Sequence, residues 1–374
     1  PEWFNYLKYR ASYSEVGNSI PNQVYGSQNI NLETGAYTPS QWATFKNPRP
    51  EKTASFETGI ESLFLNNRLS LDLTYYNATM SNLYLVGTNA SGKSIPMNTC
   101  KIRNQGVEAT VGYDFKFGAQ GLRWKTSYNV SYNSNKILRT AYDEKTGKEN
   151  IIASYVGGVQ VLAKEGWYVL NSQGGVQMDS ENTYGKYVGN MNADWQMGWT
   201  NSFSYKDFTL SFLINGRIGG KVLSMTESFL DGYGLSQRSA DARLNAEANK
   251  IYADAAYGEN VLGVKLDDGS GRIVPVEAYY QSVGGVSPQD IERYLYSGTN
   301  FRLRELSLGY TFRDLFGANK NLNLSFIARN LFFLYKDAPV DPDVSLSTGT
   351  GLSAFEVFNM PSSRSFGFSL NVNF

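Results

Sequence analysis

Gly87-Thr88-Asn89-Ala90-Ser91-Gly92-Lys93-Ser94 matches the phosphate-loop pattern GxxxxGK[ST] at every defined position. Such a loop holds phosphate only where a buried strand delivers it to a helix N-terminus. Here Pro96 follows two residues after Ser94, Met97-Asn98-Thr99 carries no amphipathic pattern, and the upstream strand is two-faced. The string is read as a Gly/Ser-rich loop. Asp337, Asp341 and Asp343 form a second tempting group, since clustered carboxylates can bind Ca²⁺. The EF-hand spacing and its closing Glu are missing, and the interleaved Pro339 and Pro342 suit turns better. Asp267 and Asp268 lie among glycines and are read as solvated. No metal or cofactor site is assigned.

Histidine is absent and Cys100 is the single cysteine. A Ser-His-Asp triad, an internal disulfide and a cysteine metal cage are all excluded, and no GxSxG elbow occurs. Enzymatic chemistry is not expected. Lys plus Arg and Asp plus Glu both total 34, so no basic excess points to nucleic acid. The better chemical lead is the loop aromatics Trp42, Trp167, Tyr168, Tyr279 and Tyr280, with Tyr294 and Tyr296. Such rings stack on sugars or grip peptide side chains, and equally pack loops against one another.

The elements that would position these residues announce themselves by alternation. In Ser362–Phe374 the residues Phe366, Phe368, Leu370, Val372 and Phe374 share one strand face. Ser365, Gly367, Ser369, Asn371 and Asn373 take the other. Similar segments recur about ten times, including 7–14, 53–64, 69–76, 107–117, 122–133, 195–205, 208–214, 301–312 and 322–330. Many run to ten residues or more, enough to cross a bilayer at a tilt. No charge interrupts the apolar side at 107–117, 122–132, 208–214 or 366–374. An Arg or Lys there would cost roughly 2–4 kcal/mol at mid-membrane. Mean hydropathy is −0.36 and no apolar run reaches helix-spanning length, which leaves a membrane barrel open.

Connections between these segments alternate in length. Residues 65–68, 118–121, 206–207 and 313–321 are short; 17–52, 87–101, 139–194, 220–300 and 331–361 are long. Outer-membrane barrels sort their loops this way, with tight periplasmic turns and long external loops. Parity then puts Phe374 at the periplasmic end. The fold class is all-β: a transmembrane antiparallel up-and-down β-barrel. The polar residues Asp72, Glu108, Asp114, Arg123, Lys125 and Asn129 are expected to line its lumen. Within the long segment 220–300, Ser236 to Tyr257 has the composition of a surface helix. Pro1 in place of an initiator Met is read as a sign of processing or truncation upstream.

Several segments together carry a family likeness. Leu7 to Asn18 (LKYRASYSEVGN) resembles the LKLRASYG-x-x-GN segment of SusC/RagA-like TonB-linked outer-membrane transporters. Asn67 to Asn77, Asn104 to Glu108 (NQGVE), and Phe301 to Phe312 (FRLRELSLGYTF) are similar to further segments of that family. Ala328 to Phe332, Asp341-Pro342-Asp343 and Pro361 to Phe374 complete the ordered series. The resemblance implies a plugged barrel of about 22 strands, of which residues 1–374 would be the C-terminal ten or so, without the plug and earlier strands. It implies import of an oligosaccharide or oligopeptide across the bacterial outer membrane, with a SusD-like surface lipoprotein and the TonB complex as partners. The latter would act through the N-terminal region. Outer-membrane lipid would surround the wall, and barrel assembly machinery would read Phe366, Phe368, Leu370, Val372 and Phe374. A passive porin-like channel, or a barrel-based enzyme or adhesin, is the alternative.

Overall fold

A computed structural model describes residues 3–19, 29–38, 48–88, 94–118, 121–139, 141–142, 149–150, 159–163, 166–171, 186–286, 291–315, 317–318, 320–344, 346 and 355–373. Ten strands form one antiparallel sheet in which neighbours in sequence are neighbours in space. They are β1 (Phe4–Asn18), β2 (Glu51–Phe64), β3 (Leu69–Thr88), β4 (Ser94–Phe117) and β5 (Leu122–Arg139). Then come β6 (Trp195–Tyr205), β7 (Phe208–Ile218), β8 (Asn300–Phe312), β9 (Asn321–Lys336) and β10 (Ser365–Asn373). This is an up-and-down meander with no crossover, as the alternating segments predict.

The register turns sequence alternation into two continuous faces. Phe115, Trp124, Phe203, Leu210, Leu308, Phe326 and Phe368 lie in one row across seven strands. One residue along, Lys116, Arg123, Ser204, Thr209, Gly309, Ser325 and Ser369 form the next row on the opposite face. A slip of one residue would exchange the faces, so the pattern fixes the pairing. Ring contacts lock the apolar rows, with Phe115–Trp124 at 4.6 Å and Trp124–Phe203 at 5.5 Å between centroids. Asn201 is a polar residue on this face: it is fully buried and accepts a 3.0 Å bond from the Trp124 indole.

The apolar face stays largely uncovered. Tyr9 is 69% exposed, Phe366 65% and Phe368 77%, whereas a soluble sandwich would bury such rows against a second sheet. No helix among the described residues is long and apolar enough to span a membrane. The strands do the crossing.

Tight connections follow expectation. Leu65, Asn66 and Asn67 all adopt positive φ, and the Lys206-Asp207 hairpin turns on Lys206 at φ 54°. One connection differs. Residues 87–101 are expected as a long loop, yet β3 and β4 continue as a ladder to Thr88 and Ser94. Their 20 and 24 residues reach roughly 65 and 80 Å at about 3.3 Å per residue. An apolar band of about 25 Å covers only part of that. The remainder is a hairpin of mixed polar and apolar residues standing beyond the membrane, whose alternation is too irregular to read. Ser94 opens a strand rather than a helix, so the Gly87–Ser94 string lacks a phosphate loop's setting; its residues 89–93 lie outside the described set.

Beyond the ends of β7 and β8 a small layer assembles from the long connections. Lys221–Ser224 pairs antiparallel with Leu295–Ser297 and parallel with Phe355–Glu356. Three helices follow: α1 (Met225–Gly232), α2 (Gln237–Ala248) and α3 (Val276–Val283). Ser224 caps α1 and Ser236 caps α2, each side chain accepting from the backbone N–H three residues on. Only α2 falls within the segment read as helical from sequence. Ala246, Val276 and Tyr280 form the layer's buried core.

Candidate functional site

The register places all six expected lumen residues, Asp72, Glu108, Asp114, Arg123, Lys125 and Asn129, on the polar face. Two engage in cross-strand ion pairing with each other: Arg123 Nε donates to Asp114 at 2.8 Å. Asp72 pairs instead with Arg10 at 2.9 Å, reaching two strands away across Gly59. A Cβ on Gly59 would sit 3.0 Å from the Arg10 guanidinium carbon and 2.8 Å from the Leu73 carbonyl oxygen. The glycine is what lets the arginine cross. Glu108 and Asn129 border a depression of about 660 Å³, whose lining also includes Ser127, Ser131, Gln196, Thr200 and Asn215. These hydroxyls and amides share the lining with Ala109, Val130, Met197 and Leu213, a mixed surface able to hydrogen-bond an oligomer's amides or hydroxyls.

A cluster missed from sequence adjoins this depression. Arg302 and Arg304 on β8 and Arg217 on β7 converge on Asp341 and Asp343 of the segment after β9. Arg302 Nη2 donates to Asp341 at 2.7 Å, and both side chains are almost wholly buried. Arg217 Nη1 donates to Asp343 at 3.1 Å, while Arg304 stands 3.7 Å from the same carboxylate. The Phe333 ring lies under Arg302 with its centroid 3.8 Å away. Asp341 also accepts from Ser362 and from the Asp343 backbone N–H, so it sets a turn as expected while latching the loop to the wall. Burial raises the Asp341 pKa, but the Ser362 and Arg302 bonds outweigh that and hold it below its ordinary value. The alternation Phe301-Arg302-Leu303-Arg304 was the available signal, since spacing two puts both guanidinia on one face. Asp337 lies apart and accepts from the Ser297 backbone N–H at 2.9 Å. Among the described residues no group of three acidic or thiol side chains is placed to hold a metal.

The loop layer carries its own buried network. Tyr294, fully buried, donates to Asp231 at 2.8 Å, and Arg238 stands 3.3 Å from the same carboxylate and 3.4 Å from Glu227. Tyr296 donates to Glu227 as well. Burial, then the acceptor carboxylate, pushes the Tyr296 phenol up to about 12 and Tyr294 higher still. Burial works against the Arg238 charge, but Asp231 and Glu227 more than offset it and raise its pKa. Asp268, bonded by Ser270 and Arg272 in an exposed turn, is held far below the usual carboxylate range.

Of the aromatic residues singled out in the sequence, Tyr279 and Tyr280 meet in the loop layer. Tyr280 is a packing residue, 9% exposed, its hydroxyl donating to the Arg238 carbonyl at 3.1 Å. Tyr279 meets it edge-to-face at 5.3 Å and accepts from Arg293 at 2.7 Å. Trp167 and Tyr168 lie in a short strand, Gly166–Asn171, paired with Val159–Ala163. Trp42 and Phe374 lie outside the described residues. Phe366, Phe368 and Leu370 are exposed on the apolar face of β10, and Val372 shares that face.

The family model described as "TonB dependent receptor-like, beta-barrel" matches residues 2–331. Among curated relatives, TonB-dependent receptor P3 of Formosa agariphila is 22% identical, over 98% of this chain and 39% of the relative. TonB-dependent receptor P26 of the same organism is 24% identical, over 100% of this chain and 40% of the relative. The chain therefore spans about two fifths of the length of these relatives. Among solved structures, the RagAB peptide importer in its open-open state superposes with a TM-score of 0.63 at 18% identity. That match covers 100% of this chain and 41% of the importer chain, and it shows a shared fold. With the matched region spanning most of the ten-stranded meander, this chain belongs to the TonB dependent receptor-like β-barrel family of the bacterial outer membrane.

Proposed function

We propose that this chain forms part of the wall, the C-terminal strands, of a TonB-dependent importer for a nutrient too large for porins, an oligosaccharide or oligopeptide. The observation that carries the reading is the ten-strand meander with one apolar and one polar face, matched by the family model over residues 2–331. In a closed barrel the apolar rows meet lipid, so Asp72, Glu108, Asp114, Arg123, Lys125 and Asn129 line the lumen. The remaining strands and a plug come from sequence beyond this chain, and the plug region engages TonB. A SusD-like surface lipoprotein docks on the external loops, where Tyr233, Leu235, Phe358 and Met360 are each more than 60% exposed. The name of the RagAB peptide importer supports the peptide alternative by fold likeness. Trp42, Trp167 and Tyr168 remain candidate cargo contacts. Barrel assembly machinery reads the last strand through its alternating apolar residues.

The test is uptake of labelled oligopeptide and oligosaccharide pools by cells carrying the full-length protein, with and without TonB. Import of one pool that stops when TonB is removed is the expected result. Import that continues without TonB overturns the reading in favour of a passive channel. Turnover of the label at the surface would favour an enzyme.

A further inference from the structure

Among the described residues, the arginine cluster carries more positive charge than its partners neutralise. Three guanidinia, from Arg217, Arg302 and Arg304, face two carboxylates, from Asp341 and Asp343. Arg302, with a side chain only 4% exposed, has Nε and Nη1 buried without a hydrogen bond among the described residues, and Arg217 Nε is in the same condition. Buried guanidinium donors left in this state are costly, and guanidinium is shaped for a second, bidentate acceptor. Arg302 is committed to Asp341 and stacked on Phe333, which fixes the centre of the cluster. Arg217 and Arg304 flank it with side chains 30% and 37% exposed, so the charge reaches solvent. Asn330 orients Arg304 by accepting from its Nη1 at 3.0 Å.

The cluster also has a place beside the polar depression. Asn215, which lines the depression and has a buried, unbonded Oδ1, is the register partner of Arg302. Arg217 lies two residues further on the same face, opposite the lining residue Gln196. An elongated molecule hydrogen-bonded along Asn129, Ser131, Gln196 and Asn215 therefore ends against cations.

We propose that Arg217 and Arg304, steadied by Arg302, form a carboxylate subsite at the edge of this depression, selecting cargo oligomers that carry a free acid. This deepens the import reading and rests on it, because the polar face must be the lumen. Two sources of the carboxylate share the chemistry, a peptide C-terminus and a uronic acid, and the experiment separates them.

Binding to the purified full-length protein is measured by calorimetry for an alanine pentapeptide and its C-terminal amide, and for trigalacturonate and its methyl ester. The free acid is expected to bind about tenfold more tightly than its neutral partner in one pair, which identifies the source. Arg217→Gln and Arg304→Gln are expected to erase that preference while leaving the neutral ligand's affinity unchanged. Arg329→Gln, on the same face but paired with Glu305 at 3.0 Å, is expected to keep it. Heat-modifiable gel mobility confirms that each variant barrel is assembled. No acid preference in either pair, including no binding at all, overturns the proposal. So does a preference that survives both glutamine variants, or an equal loss for acid and neutral ligand. The import reading fails separately, by uptake that ignores TonB, whatever the acid preference.

Discussion

Replacing Phe212 with Arg tests which face meets hydrocarbon. Phe212 sits near the middle of β7, between Asn201 on β6 and Leu306 on β8. Its ring contacts Trp199 at 5.9 Å edge-to-face and Phe203 at 6.3 Å stacked. A guanidinium at the bilayer midplane costs about 2–4 kcal/mol. Each lost ring pair adds about 0.5–1.5 kcal/mol. The sum, about 3–7 kcal/mol, rivals the whole stability of an ordinary domain. Ser211 lies one residue away, in a row of serines with Ser202 and Ser307 on the polar face. Arg at that position keeps its hydration and is expected to cost under about 1 kcal/mol. Phe212→Ala separates lost packing from inserted charge and should fall between. Full-length variants are followed by heat-modifiable mobility in outer-membrane fractions and by urea midpoint. Phe212→Arg should fail to accumulate as folded barrel, while Ser211→Arg should match the parent. Equal behaviour of the two arginine variants would refute the assignment of faces.

Further outcomes follow from the networks beyond the strands. Asp341→Ala removes the partner of buried Arg302 and should loosen residues 337–364 by about 3–5 kcal/mol, read as new protease cleavage there with barrel mobility retained. Because the folded Asp341 pKa is depressed, its contribution is present above the ordinary carboxylate value of about 3.9 and is lost as pH falls through the lowered folded value. Pepsin cleavage of the parent at this loop should therefore appear only in strong acid. Tyr294→Phe leaves Asp231 short of a donor in a fully buried site and should destabilise the loop layer by about 1–3 kcal/mol. Its raised pKa gives the opposite sign: the contribution is complete below the ordinary tyrosine value of about 10 and is lost only as pH rises through the higher folded value. Tyrosinate absorbance of the folded protein should accordingly lag that of the unfolded chain in alkali, and equal titration would contradict the network.

The chain's alternation determined the sheet by itself. Period two in segments such as 107–117 and 366–374 dictates two-faced strands, and apolar rows of that length suit a lipid-facing wall. The turns were equally legible, because Leu65-Asn66-Asn67 and Lys206-Asp207 are local solutions needing no distant partner. Three things waited for the tertiary structure. The β3–β4 hairpin past the membrane has no single buried face to impose a pattern, so ladder hydrogen bonds alone reveal it. The helices α1 and α3 are only eight residues each, too short to stand alone or to stand out in the sequence, and they hold by packing against each other in the loop layer. The cluster of Arg217, Arg302, Arg304, Asp341 and Asp343 joins residues up to 126 positions apart. Sequence showed its halves as a strand alternation and a turn; only the register of β7 against β8, and the return of the chain after β9, brought the charges together. Local spacing sets which face a side chain takes, whereas meeting a distant partner depends on how the whole sheet is paired.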